Sequence, residues 1–327
     1  VKAIIPVAGI GTRLRPHTHT IPKALVQVAG KPIVGHILDE LGPLGIREVV
    51  LVTGYMGDRV ESYVTAAYPD LDVCYVQQDE RRGLGHAIHV AGSCVDEGPV
   101  LIILGDTVVT ADFCALVGGD RTLIGVKEVD DPERFGVVVV DSGRVVSLVE
   151  KPDRPPSNLA IVGLYYIVNA GLMFKCLREV IEKDIRTKGE YQLTDALILM
   201  LERGEEMGVF PVEGWHDCGR PETLLETNRF LLRRSGGNGG DVPGSIVLQP
   251  VSIDPTAEVE HSIVGPFVSV AAGATIRDSV VRDSILNANA CVERSLLSGS
   301  LIGEGAVVKG DFQRLNVGDS SEIEFGG

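Results

Sequence analysis

Through residues 1–235, short β-branched runs alternate with amphipathic segments. "KAIIPVA" (2–8), "EVVLVTG" (48–54), "DVCYVQQ" (72–78) and "VLIILGD" (100–106) read as strands. Several are apolar at consecutive positions, the pattern of a sheet covered on both faces. Helices are predicted over 34–44, 58–67 and 84–94 between them, and over 171–183, 194–204 and 221–234 later on. This rhythm predicts an α/β fold: a doubly wound, mostly parallel sheet with right-handed crossovers. Such sheets take ligands beyond the carboxyl ends of their strands. "FGVVVVDSGRVVSLVEKP" adds a hairpin turning at Asp141-Ser142-Gly143.

The pattern changes at "SGGNGGDVPG" (235–244), whose glycines, Asn and Pro predict a flexible connection. Beyond it, Ile253 and Val259, then Val264, Val270 and Ile276, then Ile302 and Val308, stand six apart. Ser-aliphatic pairs recur at 262–263, 279–280, 284–285, 295–296 and 300–301. The period resembles the hexapeptide repeat of left-handed parallel β-helices, with an irregular β-sandwich as the alternative. The expected domains are therefore 1–235, a Gly-rich linker at 236–245, and a β-helix over 246–327. So short a solenoid gains stability by stacking on a neighbour, which predicts a homo-oligomer, dimer or tetramer, using the β-helix.

Composition narrows the function. The 30 basic and 45 acidic residues of the 327 leave a net charge of -15, which argues against a nucleic-acid or anionic-membrane surface. No segment reads as a signal peptide or membrane span, and a cytoplasmic protein is expected. The six cysteines form no CxxC pair, so free thiols are expected and a zinc site is not.

Against that acidic total, the stretch "AGIGTRLRPHTHTIPKALVQVAGKPI" is locally cationic, with Arg13, Arg15 and Lys23 and no acidic side chain before Asp39. It lacks the third glycine of a dinucleotide fingerprint and the Gly-Lys-Ser/Thr of a Walker loop. It resembles the G-x-G-T-R-L-x-P-x-T-x-x-x-P-K signature of sugar-1-phosphate nucleotidyltransferases. Ala8-Gly9 stands where many members have two glycines, and this single-Gly version also occurs in uridylyltransferases. In the resemblance, Ala8, Gly9, Gly11, Thr12 and Arg13 cradle a nucleoside triphosphate, and Arg13 and Lys23 are catalytic cations. Glycines admit phosphate close to backbone amides, Arg offers a planar fork of donors, and Lys offers a point charge.

The resemblance continues in order along the chain. "VQQDERRGLGHAI" is similar to the family's Q-x-x-x-x-G-L-A-x-A, which implies that Gln78 and Gly83 bind the base; an amide both donates and accepts, as uracil and thymine require. "VLIILGDTVV" and "GWHDCGRPETLLETN" resemble the L-G-D and W-x-D-x-G segments, which makes Asp106 and Asp217 the implied Mg²⁺ ligands. "RFGVV", "VEKP" and "NLAIVGLYY" resemble the segments around the sugar phosphate and imply roles for Gly136, Glu150, Lys151 and Gly163, with Lys151 facing the attacking phosphate. Glu190, Thr194 and Asp195 of "GEYQLTDAL" are read as structural or supporting residues, as are His86 and His89.

The implied fold is a Rossmann-like nucleotidyltransferase domain followed by a left-handed β-helix. The implied reaction is Mg²⁺-dependent transfer of a nucleotidyl group from dTTP or UTP to a hexose 1-phosphate, with glucose 1-phosphate as the expected acceptor. A mannose-1-phosphate guanylyltransferase, a bifunctional nucleotidyl/acyltransferase and a non-catalytic regulatory homologue stay open as alternatives.

Overall fold

The computed structural model describes residues 1–96 and 98–311. The chain divides into two compact units, Val1–Thr227 and Asn228–Gly327. The first unit runs β1 (Lys2–Pro6), β2 (Gln27–Val28), β3 (Lys31–Pro32), α1 (Ile33–Asp39), β4 (Glu48–Thr53), α2 (Gly57–Ala67), β5 (Asp72–Gln77), α3 (Leu84–Ala91) and β6 (Val100–Ile103). It continues with β7 (Thr107–Thr110), α4 (Phe113–Leu116), β8 (Thr122–Glu128), β9 (Gly136–Asp141), β10 (Arg144–Glu150) and β11 (Leu159–Ile167). Then come α5 (Ala170–Glu182), α6 (Leu193–Glu202), β12 (Met207–Pro211), β13 (Gly214–Asp217) and α7 (Pro221–Ser235), within which the division between the units falls.

Strands β6, β1, β4 and β5 lie side by side and parallel, so their carboxyl ends share one edge. On the far side of β6, β11 runs antiparallel and pairs with both β8 and the β9–β10 hairpin. The consecutive apolar residues of β1 are explained by burial on both faces. Ile4 joins a cluster with Ile88 of α3, Leu177 of α5 and Leu197 of α6. Ile5, on the opposite face by strand alternation, is equally buried. The helix predicted over 34–44 stops at Asp39, and a separate 3-10 turn covers Gly42–Leu44, where Pro43 removes a helical donor.

In the second unit, three four-stranded parallel sheets each take one strand from each of four coils, forming a parallel β-helix. Equivalent positions advance by 17, 17 and 16 residues through Ile246, Ile263, Val280 and Leu296. Val264, Val270 and Ile276 point inward from successive faces and are 0–1 % exposed. The Ser-aliphatic pairs now have a physical reason. The hydroxyl of Ser262 accepts the backbone N–H of Ser279 at 3.0 Å, and that of Ser279 accepts from Ser295 at 3.1 Å. Each hydroxyl also donates to a carbonyl two residues back, so a stacked serine ladder satisfies the corner.

Two expectations change. The Gly-rich segment is held against the first coil: the N–H groups of Asn238 and Gly239 both donate to Val251 O. A Cβ on Gly237 would stand 2.1 Å from that same oxygen, so this glycine serves close approach rather than freedom. The cysteines are not all free thiols. Cys74 of β5 and Cys94, in the turn after α3, are joined by a disulfide, a meeting that the packing of α3 against β5 brings about and linear spacing does not reveal. Cys114 is exposed, whereas Cys176 and Cys218 are buried. Burial pushes the Cys218 thiol up to about 12. Among the described residues, no helix is long and apolar enough to cross a membrane.

These thiols predict a labelling order. Alkylation of the native protein near pH 8 should mark Cys114 first and leave Cys176 and Cys218 unmodified. Cys74 and Cys94 should react only after reduction. Peptide mapping that found Cys218 labelled as fast as Cys114 would contradict this assignment.

Candidate active site

The loop after β1 emerges at the carboxyl edge of the parallel strands and lines a cavity of about 530 Å³. Its wall includes Ala8, Gly9, Gly11, Thr12, Arg13, Lys23, Gln78, Gly83 and Asp106, which brings together every residue assigned above to the nucleotide, together with one of the two aspartates. Gly11 adopts the left-handed region (φ 69°), and a Cβ there would press on Lys23 Cβ at 3.0 Å. The Thr18 hydroxyl donates to Gly11 O at 2.7 Å and fixes the turn. The methyl of Ala8 is housed against Gly54, where a second Cβ would lie 2.9 Å away. This is how the loop carries alanine at a position where many of the sequences it resembles carry glycine.

Lys23 is only 6 % exposed, and its ammonium pairs with Asp106 Oδ2 at 2.8 Å. Arg13 also lines the cavity, and no hydrogen bond or ion pair engages its guanidinium within the described residues. The two aspartates are brought together by a small antiparallel ladder absent from the sequence reading. In it, β7 pairs with β13 so that Thr107 faces Asp217. The Cys218 N–H then donates to Asp106 O at 3.0 Å.

Gly219 completes this corner, with a role that sequence reasoning missed although the W-x-D-x-G segment contains it. A Cβ on Gly219 would lie 2.7 Å from Asp217 Oδ1 and 3.0 Å from Arg13 Nη2. Asp106 keeps one oxygen outside the lysine pair, so two carboxylates on neighbouring strand ends offer a donor set suited to Mg²⁺, which takes its remaining ligands from water and phosphate. Among the described residues there is no cluster of three or more His, Cys, Asp or Glu that could cage a metal by itself.

At the other end of the cavity lie Gln78 and Gly83, together with Arg81, Leu84, Ala87 and Glu190. Gln77 turns away, its amide accepting from Thr53 Oγ1 and donating to Gly54 O. Gly85 abuts the 191–192 backbone, where a Cβ would stand 2.8 Å from Gln192 O. Glu190 is therefore at the cavity wall, although its sequence context suggested only a supporting place.

The remaining candidates do not line that cavity, and of these Gly136, Glu150 and Lys151 form a second group. The Thr194 hydroxyl donates to Glu150 Oε2 at 2.6 Å, and Gly136 leaves room for that carboxylate, which a Cβ would approach to 2.8 Å. Lys151, at φ 43°, lies 3.7 Å from Glu150 Oε1 through its ammonium. A left-handed lysine beside a carboxylate is the kind of local strain that collects at functional sites. Gly163 lies behind Leu104, whose N–H it accepts, and Leu104 belongs to the cavity wall. The Phe135 ring meets Trp215 edge-on at 4.7 Å, which ties the Gly136 segment to the strand that ends at Asp217. Asp195 does not line the cavity; it accepts from Thr187 Oγ1 at 2.8 Å, and burial raises its pKa.

A glycine-rich cationic loop at the carboxyl edge of a doubly wound sheet, with two aspartates beside it, defines an anion-binding α/β enzyme fold. The chain belongs to the nucleotidyl transferase family, whose profile matches residues 2–234. It is 32% identical to a glucose-1-phosphate thymidylyltransferase of Streptomyces antibioticus, over 99% of each chain. It is 31% identical to the low-salt glycan biosynthesis nucleotidyltransferase Agl11 of Haloferax volcanii, over 99% of this chain and 100% of the other. Among solved structures it is similar to a UDP-glucose pyrophosphorylase complexed with UDP-glucose. That match has a TM-score of 0.62 and 26% identity, and covers 71% of this chain and 98% of the other. The chain is thus a nucleotidyltransferase, of a family that generally works with a divalent metal ion.

The crowding at Gly219 yields a prediction. Gly219→Ala should push Asp217 and Arg13 apart and lower kcat for nucleotidyl transfer by about 10²-fold, the scale of a ~1 Å misplacement. Its melting temperature should stay close to that of the parent. Unchanged turnover in a folded variant would show that this corner is not part of the chemistry.

Proposed function

We propose that the chain catalyses Mg²⁺-dependent transfer of a nucleotidyl group from UTP or dTTP to glucose 1-phosphate, giving the NDP-sugar and pyrophosphate. The observation that carries this reading is the β7–β13 ladder, which sets Asp106 and Asp217 side by side next to the Arg13 and Lys23 loop. The relatives named for thymidylyl transfer and for UDP-glucose support the choice of base and sugar.

The chemistry needs no covalent nucleophile, because the sugar phosphate is already anionic. Its oxygen attacks the α-phosphorus in line, and pyrophosphate leaves. Two anions must meet, so positioning and charge neutralisation carry the catalysis. Arg13 and Lys23 hold the triphosphate and accept the charge that builds on the leaving pyrophosphate. Lys151 holds the sugar phosphate, and Glu150, in the space left by Gly136, takes the sugar hydroxyls, with Gly163 closing the pocket. Ala8, Gly9, Gly11 and Thr12 present the loop backbone to the phosphates, while Gln78 and Gly83 receive the base. Asp106 and Asp217 would hold Mg²⁺, which when bound supplies electrophilic stabilisation of the phosphate oxygens.

On this reading residues 1–235 form the catalytic domain, 236–245 the connection and 246–327 the domain that serves assembly into a dimer or tetramer; the coils run through Val307–Lys309, and residues 312–327 of the expected β-helix lie outside the described residues. The setting is the cytoplasm, where nucleoside triphosphates are held.

Pyrophosphate release, scored for four nucleoside triphosphates against glucose, mannose, galactose and N-acetylglucosamine 1-phosphates, should peak with UTP or dTTP and glucose 1-phosphate. A maximum with GTP and mannose 1-phosphate would replace this assignment. Arg13→Ala should lower kcat by roughly 10²–10³-fold, as loss of one preorganised donor does elsewhere. Lys151→Ala should raise KM for the sugar phosphate far more than KM for the nucleotide. Wild-type turnover by Arg13→Ala would remove Arg13 from the mechanism.

A further inference from the structure

Gln78 is 5 % exposed and its side chain ends at the cavity. Its Nε2 stands 3.2 Å from Gly83 O and 3.1 Å from His86 Nδ1. A carbonyl oxygen only accepts, so the amide atom facing Gly83 is the NH₂ group, and its second hydrogen falls to His86 Nδ1. His86 must then carry its own proton on Nε2 and offer Nδ1 as an acceptor. Both amide hydrogens are spent inside the protein. Gln78 Oε1 has no partner among the described residues and is the atom left for a ligand.

From this geometry we infer that His86 is a positioning residue that locks the Gln78 amide with its oxygen toward the nucleotide, so that the site selects bases carrying a ring N–H. The inference rests on the nucleotidyltransferase reading of the site and deepens it. Uracil and thymine present N3–H to such an acceptor, whereas cytosine presents a lone pair at N3. UTP and CTP are nearly the same size, so the direction of this one hydrogen bond separates them. A site built around a hydrogen bond rejects the analogue that cannot make it, because the protein group is left unpaired. The arrangement accepts UTP and dTTP alike.

The ring lies at the start of α3, half-buried, and burial lowers its pKa from the ordinary value. The charged and titratable groups acting on it are Arg82 and Glu80 of the preceding loop and His89 of the same helix; Arg82 and His89 lower its pKa and Glu80 raises it. Arg178 and Glu182, on the α5 helix packed against α3, act on His89. The neutral imidazole that the lock requires is therefore the form present at neutral pH. Protonation at lower pH puts a hydrogen on Nδ1 and opposes the amide hydrogen already there.

The test combines spectroscopy on the intact protein with kinetics on three variants. In ¹⁵N-histidine-labelled protein at pH 7.5, with the signal assigned through His86→Asn, His86 should show an unprotonated Nδ1 and a protonated Nε2. Gln78→Ala should raise KM for UTP and dTTP. His86→Leu, which removes the acceptor, should raise KM for UTP roughly three- to tenfold, on the scale of one net hydrogen bond, with most of the loss in KM rather than kcat. Its preference for UTP over CTP should shrink by a similar factor.

His86→Asn, whose Oδ1 can replace the Nδ1 lone pair, should return both values to within about twofold of the parent. It should also lack the extra rise in UTP KM that the parent shows as the pH falls below the His86 pKa. An Nδ1–H imidazole overturns the inference whether or not the variants fold. So does a folded His86→Leu that keeps parental KM and base preference while Gln78→Ala is impaired. If Gln78→Ala itself keeps parental KM for both triphosphates, the base is read elsewhere, and the assignment of Gln78 falls together with the inference drawn from it.

Discussion

A lysine ammonium buried to 6 % exposure requires a counter-charge, and here the counter-charge is Asp106, 2.8 Å away. This pair organises the site. It joins the end of the Gly-rich loop to the end of β6, two segments 83 residues apart in the chain. Gly11 is shaped around the Lys23 side chain, and Thr18 holds Gly11 in turn. Asp106 is left with one oxygen outside the pair, and β13 brings the backbone beside Asp217 against its own, Cys218 N–H to Asp106 O. The carboxylate is about half exposed, so the pair adds less to stability than a fully buried one. Its main consequence is preorganisation: a cation fixed in place before a polyanion arrives.

The architecture serves that requirement. Parallel strands end on one edge, so loops distant in sequence converge there without long excursions. The added antiparallel strands carry the Gly136 and Glu150 hairpin and β11, whose Gly163 backs the Leu104 turn beside Asp106. In the second unit the same economy takes another form. Inward aliphatic residues fill the coils, and serines stack at the corner. One outer face pairs Arg277 with Glu258 and Glu260, and Lys309 with Glu293, which keeps that face polar and satisfied.

Much of this was legible in the sequence because it is written locally. Consecutive apolar residues at 3–5 and 100–103 report two-sided burial, and the step of six from Val264 to Val270 to Ile276 reports three faces per coil. What stayed hidden depends on tertiary meeting. The β7–β13 ladder joins two short strands that carry no periodic signal of their own. Gly219 reads as one more loop glycine until Asp217 and Arg13 are seen on either side of it. Cys74 and Cys94 carry no motif, and glycines such as Gly237 that suggested freedom serve close packing. His86 looked like a bland helix residue, because nothing in the spacing tells that its ring nitrogen meets Gln78.

In the proposed reaction the site brings two anions together for direct displacement, with fixed cations in place of a covalent nucleophile. Exchange of labelled pyrophosphate into UTP or dTTP tests it most directly. Direct displacement gives exchange only when glucose 1-phosphate is present, since pyrophosphate can return only to the α-phosphorus of a formed NDP-sugar. Exchange at a comparable rate without the sugar phosphate would reveal a nucleotidyl-enzyme intermediate and exclude direct displacement.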